Sequence, residues 1–289
     1  MYDLSVCLAA IRKHNWERLY ESIIASIGDY TFELILCGPH EELPDELQGL
    51  SNVSCIQDFG SPVRAQQMSM ENVTGRYITW AADDGWFYEG GLEACINHLD
   101  SISNDSNKDC VVTQYVEGGK DGLGSVAEGM YFVNNHLPIR SSYIPDHYLI
   151  FNSVIMHTSY FHELGGFDST FEACPMAFVD FGVRAQHDGA LPILFSAIFE
   201  CTHSPGHEGD HGPIHDAQVI SDENKFKLIW RKKTSKDRIK INFDNWKTSP
   251  PFWNRRFQRV DTGDIIDVTG HGEYKAPASL KLTDNKEEQ

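Results

Sequence analysis

Basic residues are scarce in this chain: 24 Lys and Arg stand against 42 Asp and Glu, a formal net charge of −18 over 289 residues. Sequence-independent affinity for nucleic acid comes mostly from Lys and Arg on phosphates, so the balance argues against that class of function. It argues equally against a basic anchor on an anionic membrane surface. No apolar stretch approaches the length needed to cross a bilayer. The seven cysteines lack CxxC spacing and are odd in number, which fits reduced thiols of a cytosolic protein better than a disulfide framework. Asp3, Arg12 and Lys13 interrupt the first segment, so no signal peptide is read there. There is no internal repeat. The expectation is a soluble cytoplasmic protein, 41% hydrophobic, with core enough for one or two domains.

The apolar pattern alternates between two periods. Leu4 to Ala10 reads as a strand, and Trp16 to Ile27 carries apolar residues at helical spacing. Phe32 to Cys37 is a second strand, stopped by Gly38-Pro39, and Val53 to Ile56 a third. A helix over 63–73 then leads to a strand at Tyr77. This β-α-β-β-α-β order predicts an α/β protein with a mostly parallel sheet flanked by helices. Further on, the pattern gives a helix at 90–99, strands at 110–115, 151–156 and 191–201, and helices at 158–164, 178–187 and 216–232. Residues 117–129 hold five glycines and read as a loop. Beyond Thr234 the pattern weakens, and 282–289 reads as a polar tail. The expected organisation is one domain over 1–233 and a C-terminal extension over 234–289.

The most informative feature is Asp83-Asp84, which ends the apolar run Tyr77-Ile78-Thr79-Trp80-Ala81-Ala82 and precedes Gly85. Two adjacent carboxylates at the end of a buried strand are costly unless something cationic meets them. In open α/β sheets that edge is also where ligands bind. A hard divalent cation, Mg²⁺ or Mn²⁺, carrying a phosphorylated ligand would meet both conditions. The plain alternative is an Ala-Asp-Asp-Gly turn.

Four stretches in this order resemble the nucleotide-sugar glycosyltransferases of the GT-A fold, especially family 2, over roughly residues 3–203. Leu4 to Arg12 resembles the opening strand and the turn that cradles the nucleotide. Gly60 to Gln67, then Thr74 to Trp80, resembles the segment leading to the metal motif. Ala82-Asp83-Asp84 falls where that family writes Asp-x-Asp. Glu163 to Asp168, followed by Val179 to Arg184, resembles the acceptor-side segment and the helix with the catalytic carboxylate. The resemblance implies a Rossmann-like GT-A fold with a mixed, mostly parallel sheet, and a metal-dependent transfer of a sugar from a nucleoside-diphosphate sugar to a glycan, lipid or small-molecule acceptor, with inversion. It implies Mn²⁺ or Mg²⁺ on Asp84 and His203, and a donor held by Ala9, Arg12, Arg64 and Asp83. It makes Asp180 the general base.

The chain departs from the family pattern at three places. Ala82 stands at the first Asp of Asp-x-Asp. Gly38-Pro39 stands where the second strand usually ends in an Asp that meets a uridine base. Ala177-Phe178 stands where an acidic pair usually precedes Asp180.

Each role has a plainer reading beside it. Asp180 and Arg184 have the i,i+4 spacing of a helix ion pair. Arg12 and Arg64 are equally read as surface arginines. Glycines and prolines break up the loop carrying His203, His207, His211 and His215, so its histidines cannot stack on one helix face. The last three read as lid or solvated residues. Trp86, Phe87, Trp246, Phe252 and Trp253 read as packing before sugar stacking. Two other functions stay open: a non-catalytic sugar-nucleotide or glycan-binding domain with a degenerate site, and a metal hydrolase built on the histidine loop.

Overall fold

The computed structural model describes residues 1–102, 106–117, 148–202, 218–230 and 239–242. The first half alternates as its hydrophobic period predicts. β1 (Leu4–Ala9), β2 (Phe32–Gly38), β3 (Val53–Gln57) and β4 (Tyr77–Trp80) are joined through α1 (Trp16–Ile27) and α2 (Pro62–Ser69). β1 pairs parallel with both β2 and β4, and β2 parallel with β3. Then follow β5 (Gly85–Phe87), α3 (Gly91–Ile102), β6 (Asp109–Glu117), β7 (Val154–His157), α4 (Thr158–Glu163), α5 (Cys174–His187), β8 (Leu191–Cys201) and α6 (Glu223–Trp230).

All eight strands form one sheet in the order β3-β2-β1-β4-β7-β6-β8-β5. The β6–β8 pair is parallel, while β4–β7, β6–β7 and β5–β8 are antiparallel. This is the mixed α/β sheet with flanking helices that the sequence predicts.

Two cores lie on the two faces of the sheet. Alternate residues of β1 point to opposite sides, as a period of two requires. Leu4, Val6 and Leu8 join Trp16, Leu19 and Ile23 of α1 and Leu92, Cys95 and Ile96 of α3. Cys7 joins the other core with Ile78, Trp80, Val63 of α2, Phe161 of α4 and Phe181 of α5. Trp80 anchors that second core, packing edge-on against Phe167 at 5.0 Å and Phe181 at 5.8 Å, with Phe178 at 5.5 Å. Phe178 is the residue found where the resembled family writes an acid, and here it packs on aromatic rings.

The elements differ from their sequence reading mainly at their ends. α2 stops at Ser69 and β4 at Trp80, both short of the apolar pattern, while α5 begins four residues earlier than its periodicity suggests. Pro175 in its first turn explains the early start, because proline suits a position whose N–H has no helical partner. The region expected as a single helix at 216–232 is a π-helical turn, Gln218–Asp222, followed by α6. Of the extension, residues 239–242 are described and dock on the sheet domain. The Ile241 N–H donates to the Leu164 carbonyl at 2.9 Å. A Cβ on Gly165 would lie 1.3 Å from the Ile241 oxygen, at a φ of +79°, so only glycine fits there.

Candidate functional site at the carboxyl edge of β1 and β4

β1 and β4 run parallel from Leu4↔Tyr77 to Cys7↔Trp80 and then part. The side-chain amide of Gln66 fills the gap on β1: its Oε1 accepts from the Ala9 N–H at 3.1 Å and its Nε2 donates to the Cys7 carbonyl at 2.9 Å. α2 thus plugs the crevice at which open α/β sheets take their ligands. Its neighbour Gln67 faces the other way, holding the Gly165 carbonyl at 3.1 Å and the Phe167 N–H at 2.7 Å.

Asp83 and Asp84 follow β4 into this crevice. The Gly85 N–H donates to the Ala82 carbonyl at 3.0 Å, so the pair does sit in a turn, and it is a buried one: Asp83 is 2% and Asp84 7% exposed. Asp83 holds the loop after β1. Its Oδ2 accepts from the N–H groups of Ile11 at 2.7 Å and Arg12 at 2.5 Å, and its Oδ1 from the Arg12 guanidinium at 2.5 Å. The same guanidinium nitrogen lies 3.8 Å from Asp84 Oδ1. Arg12 is therefore a cation that the acid pair has already found within the chain.

The backbone of Asp84 is pinned as well. Its carbonyl accepts from Arg18 Nη2 at 2.8 Å and from both the N–H and the hydroxyl of Thr202, at 3.2 and 3.1 Å. The pairing of β5 with the end of β8, Gly85↔Cys201, delivers Thr202 to that place. Gly85 is required for it, since a Cβ there would lie 2.3 Å from the Phe199 ring. Trp86 lies beneath the Arg18 guanidinium at 4.7 Å, and Phe87 packs on Phe199 at 4.6 Å, so both serve packing as expected.

The ends of β2 and β3 continue the same edge. A Cβ on Gly38 would lie 2.0 Å from the Ala10 carbonyl oxygen, so the backbone after β1 occupies the place a side chain would need. His40 Nε2 meets the Ile11 carbonyl at 2.8 Å and locks the loop from outside. Beside it, the Asp58 N–H donates to the Gly38 carbonyl at 2.7 Å. Arg64 pairs with Asp58 at 2.8 Å; burial raises that carboxyl, while the Gly60 N–H and Arg64 oppose the rise. Arg64 is thus at the β3 end of the edge, and Arg12 at the β1 end.

Asp180 is elsewhere. It is 0% exposed inside α5, with Oδ2 accepting from Arg184 Nε at 2.9 Å and Oδ1 from the Trp230 indole N–H at 3.0 Å. Arg184 is itself fully buried and donates onward to the Leu164 carbonyl at 3.0 Å. This is the helix ion pair, built into the junction of α4, α5 and α6. The sequence expectation made Asp180 the general base; here both of its oxygens are engaged and its side chain has no exposed surface.

Among the described residues at this edge, Asp84 is the carboxylate that would hold a divalent cation. Asp83 has three N–H donors on its two oxygens, and among the described residues no three His, Cys, Asp or Glu side chains converge to hold a metal. Mg²⁺ accepts such a site, since it is commonly bound by one or two carboxylates together with substrate phosphates and water. His203 follows Thr202 directly in the chain, but it lies outside the described residues, as do His207, His211 and His215, the 118–147 region and Trp246, Phe252 and Trp253. Sequence reasoning missed Gln66, Arg18 and Thr202, whose roles depend on contacts across the fold.

The fold resembles that of S. aureus TarS. The crystal structure of TarS 1–349 shares 13% identity, superposes with a TM-score of 0.52, and covers 88% of this chain and 72% of its own. A second TarS crystal structure gives a TM-score of 0.51 at 13% identity, covering 78% of this chain and 41% of that one. The chain therefore spans about two-fifths of the length of that structure. At these identities the likeness is one of fold. By sequence, no family model matches the chain, and no curated protein does. Among the described residues, no helix is long and apolar enough to cross a membrane.

Proposed function

We propose that this protein is a glycosyltransferase that takes its sugar from a nucleoside-diphosphate donor. The observation that carries the reading is the Arg12–Asp83–Asp84 cluster at the diverging ends of β1 and β4. Breaking the glycosidic bond of such a donor leaves charge on a diphosphate, and the cluster offers two ways to meet it. Arg12 presents a guanidinium whose planar fork suits phosphate oxygens, held in place by Asp83. A divalent cation, Mn²⁺ or Mg²⁺, on Asp84 and His203 would add Lewis-acid stabilisation of the departing group.

Parallel strands lie about 4.8 Å apart, so the edge from β4 through β1 and β2 to β3 spans roughly 14 Å. A nucleoside diphosphate laid along it, with phosphates at Arg12, carries its base toward the Asp58–Arg64 pair. The likeness of fold to TarS supports the reading in general terms. Inversion of configuration, and the glycan, lipid or small-molecule acceptor, belong to the proposal through the family resemblance alone.

Asp84→Ala should abolish transfer and remove the Mn²⁺-dependent part of donor binding while leaving the fold intact, as measured by turnover and calorimetry. Unchanged turnover would dispose of the cation site at Asp84. A second reading, a sugar-nucleotide-binding domain without catalysis, is favoured by the aromatic packing of Phe178 and the burial of Asp180. Slow metal-dependent release of nucleoside diphosphate from a bound donor would decide for the enzyme.

A further inference from the structure

Glu200 is a further buried carboxylate beside the crevice. It lies in β8 just before Cys201, whose pairing with Gly85 brings Thr202 to the Asp84 carbonyl. Its own partner across the strands is Trp86, two residues beyond Asp84. Two residues of strand cover about 7 Å and one cross-strand step about 5 Å, so the α-carbons of Asp84 and Glu200 lie within roughly 9 Å of each other.

Alternation fixes the side of the sheet. Phe87, Phe199 and Cys201 point into the core beneath α1 and α3. Glu200 and Trp86 therefore stand on the opposite face, the one that carries α5. There the glutamate, 4% exposed, accepts from the Tyr88 hydroxyl at Oε2, at 2.5 Å. Tyr88 is tied to the same strand, its N–H donating to the Ile198 carbonyl at 3.1 Å. Val116 of β6 flanks Glu200 on its other side.

The occupancy of the oxygens sets this carboxylate apart. Asp83 receives three N–H donors, and Asp180 gives one oxygen to Arg184 and the other to Trp230. Glu200 has one oxygen engaged, and among the described residues its Oε1 takes no hydrogen bond. A buried carboxylate oxygen without a donor is costly. An incoming hydroxyl group would supply that donor.

We propose that Glu200 is the catalytic carboxylate that receives the proton of the acceptor hydroxyl, with Tyr88 as the residue that positions it. This rests on the donor reading above. Glu200 Oε1 takes the proton from the acceptor O–H, and the acceptor oxygen bonds to the anomeric carbon of the sugar. The bond from that carbon to the diphosphate oxygen breaks, and its electron pair leaves with the diphosphate beside Arg12. The acceptor is thus a hydroxyl compound bound on the α5 face of β5 and β8.

The test uses UDP-GlcNAc, UDP-glucose and GDP-mannose with Mn²⁺, and water as the acceptor. Its readouts are release of nucleoside diphosphate and calorimetric affinity for the donor. Glu200→Gln keeps the size of the side chain and an oxygen for Tyr88 but cannot take up a proton. It should release diphosphate at least about 10²-fold more slowly than wild type, with donor affinity unchanged within about twofold. Glu200→Asp, which keeps the carboxylate, should recover at least about tenfold over Glu200→Gln. Tyr88→Phe keeps the ring and should slow release about tenfold, again at unchanged donor affinity.

Wild-type release by Glu200→Gln would overturn the proposal and leave the donor reading standing. So would a loss of donor affinity as large as the loss of rate, which would make Glu200 a donor-site or folding residue. If Glu200→Gln does not fold, Tyr88→Phe decides, and release at the wild-type rate in that variant counts against the proposal. No binding of any of these donors by wild type would remove the donor reading and this proposal together.

Discussion

Asp83 and Asp84 are adjacent in sequence, yet they serve different partners. Asp83 spends its oxygens on two backbone N–H groups and a guanidinium, fixing the loop after β1, whereas Asp84 is fixed through its carbonyl and stands 3.8 Å from Arg12. The adjacency was legible in the sequence; the division of labour was not, because it depends on where the β1 loop falls across the sheet. Asp180 teaches the same point in reverse. Its i,i+4 spacing to Arg184 was visible, but only packing shows that Trp230 takes the second oxygen. Removing one partner of a fully buried pair strands the other charge. Asp180→Ala should therefore cost about 3–5 kcal/mol of folding stability in chemical denaturation. A variant of wild-type stability whose turnover alone is depressed would speak for Asp180 as a base.

At the scale of elements, the period of two and the period of 3.6 located nearly every strand and helix, and α1 spans the residues its apolar spacing marks out. The ends escaped because they are set by tertiary contacts. β4 stops at Trp80 where β1 turns away and Gln66 takes its place, and no local pattern announces that. β5, three residues long, is too short to show a period and exists through its pairing with β8.

The junction of the β1 loop with β2 makes a test at this scale. Gly38→Ala places a methyl 2.0 Å from the Ala10 oxygen, against backbone that cannot swing aside. Overpacking of this kind costs about 1–3 kcal/mol. The loop carrying Arg12 should shift with it, so nucleotide-sugar affinity should fall by about tenfold or more while the protein stays folded. Unchanged affinity would mean that the loop's position is immaterial to the ligand.

For the molecule as a whole, the order of elements was enough to predict an α/β sheet flanked by helices. A chain carrying −18 repels an anionic donor at long range, so binding must be won locally, where a cation is held close by. That places the weight of the account on Arg12. The most direct measurement is calorimetric titration of a panel of nucleotide sugars, with Mn²⁺ and without, into wild type and Arg12→Gln. The backbone N–H groups of Ile11 and Arg12 still hold Asp83 in that variant, which keeps the loop in place. The account predicts a donor that wild type binds and that the variant binds at least about tenfold more weakly, a loss of roughly 1.4 kcal/mol or more. Equal affinity in the two proteins, or no binding by wild type of any donor in the panel, would contradict it.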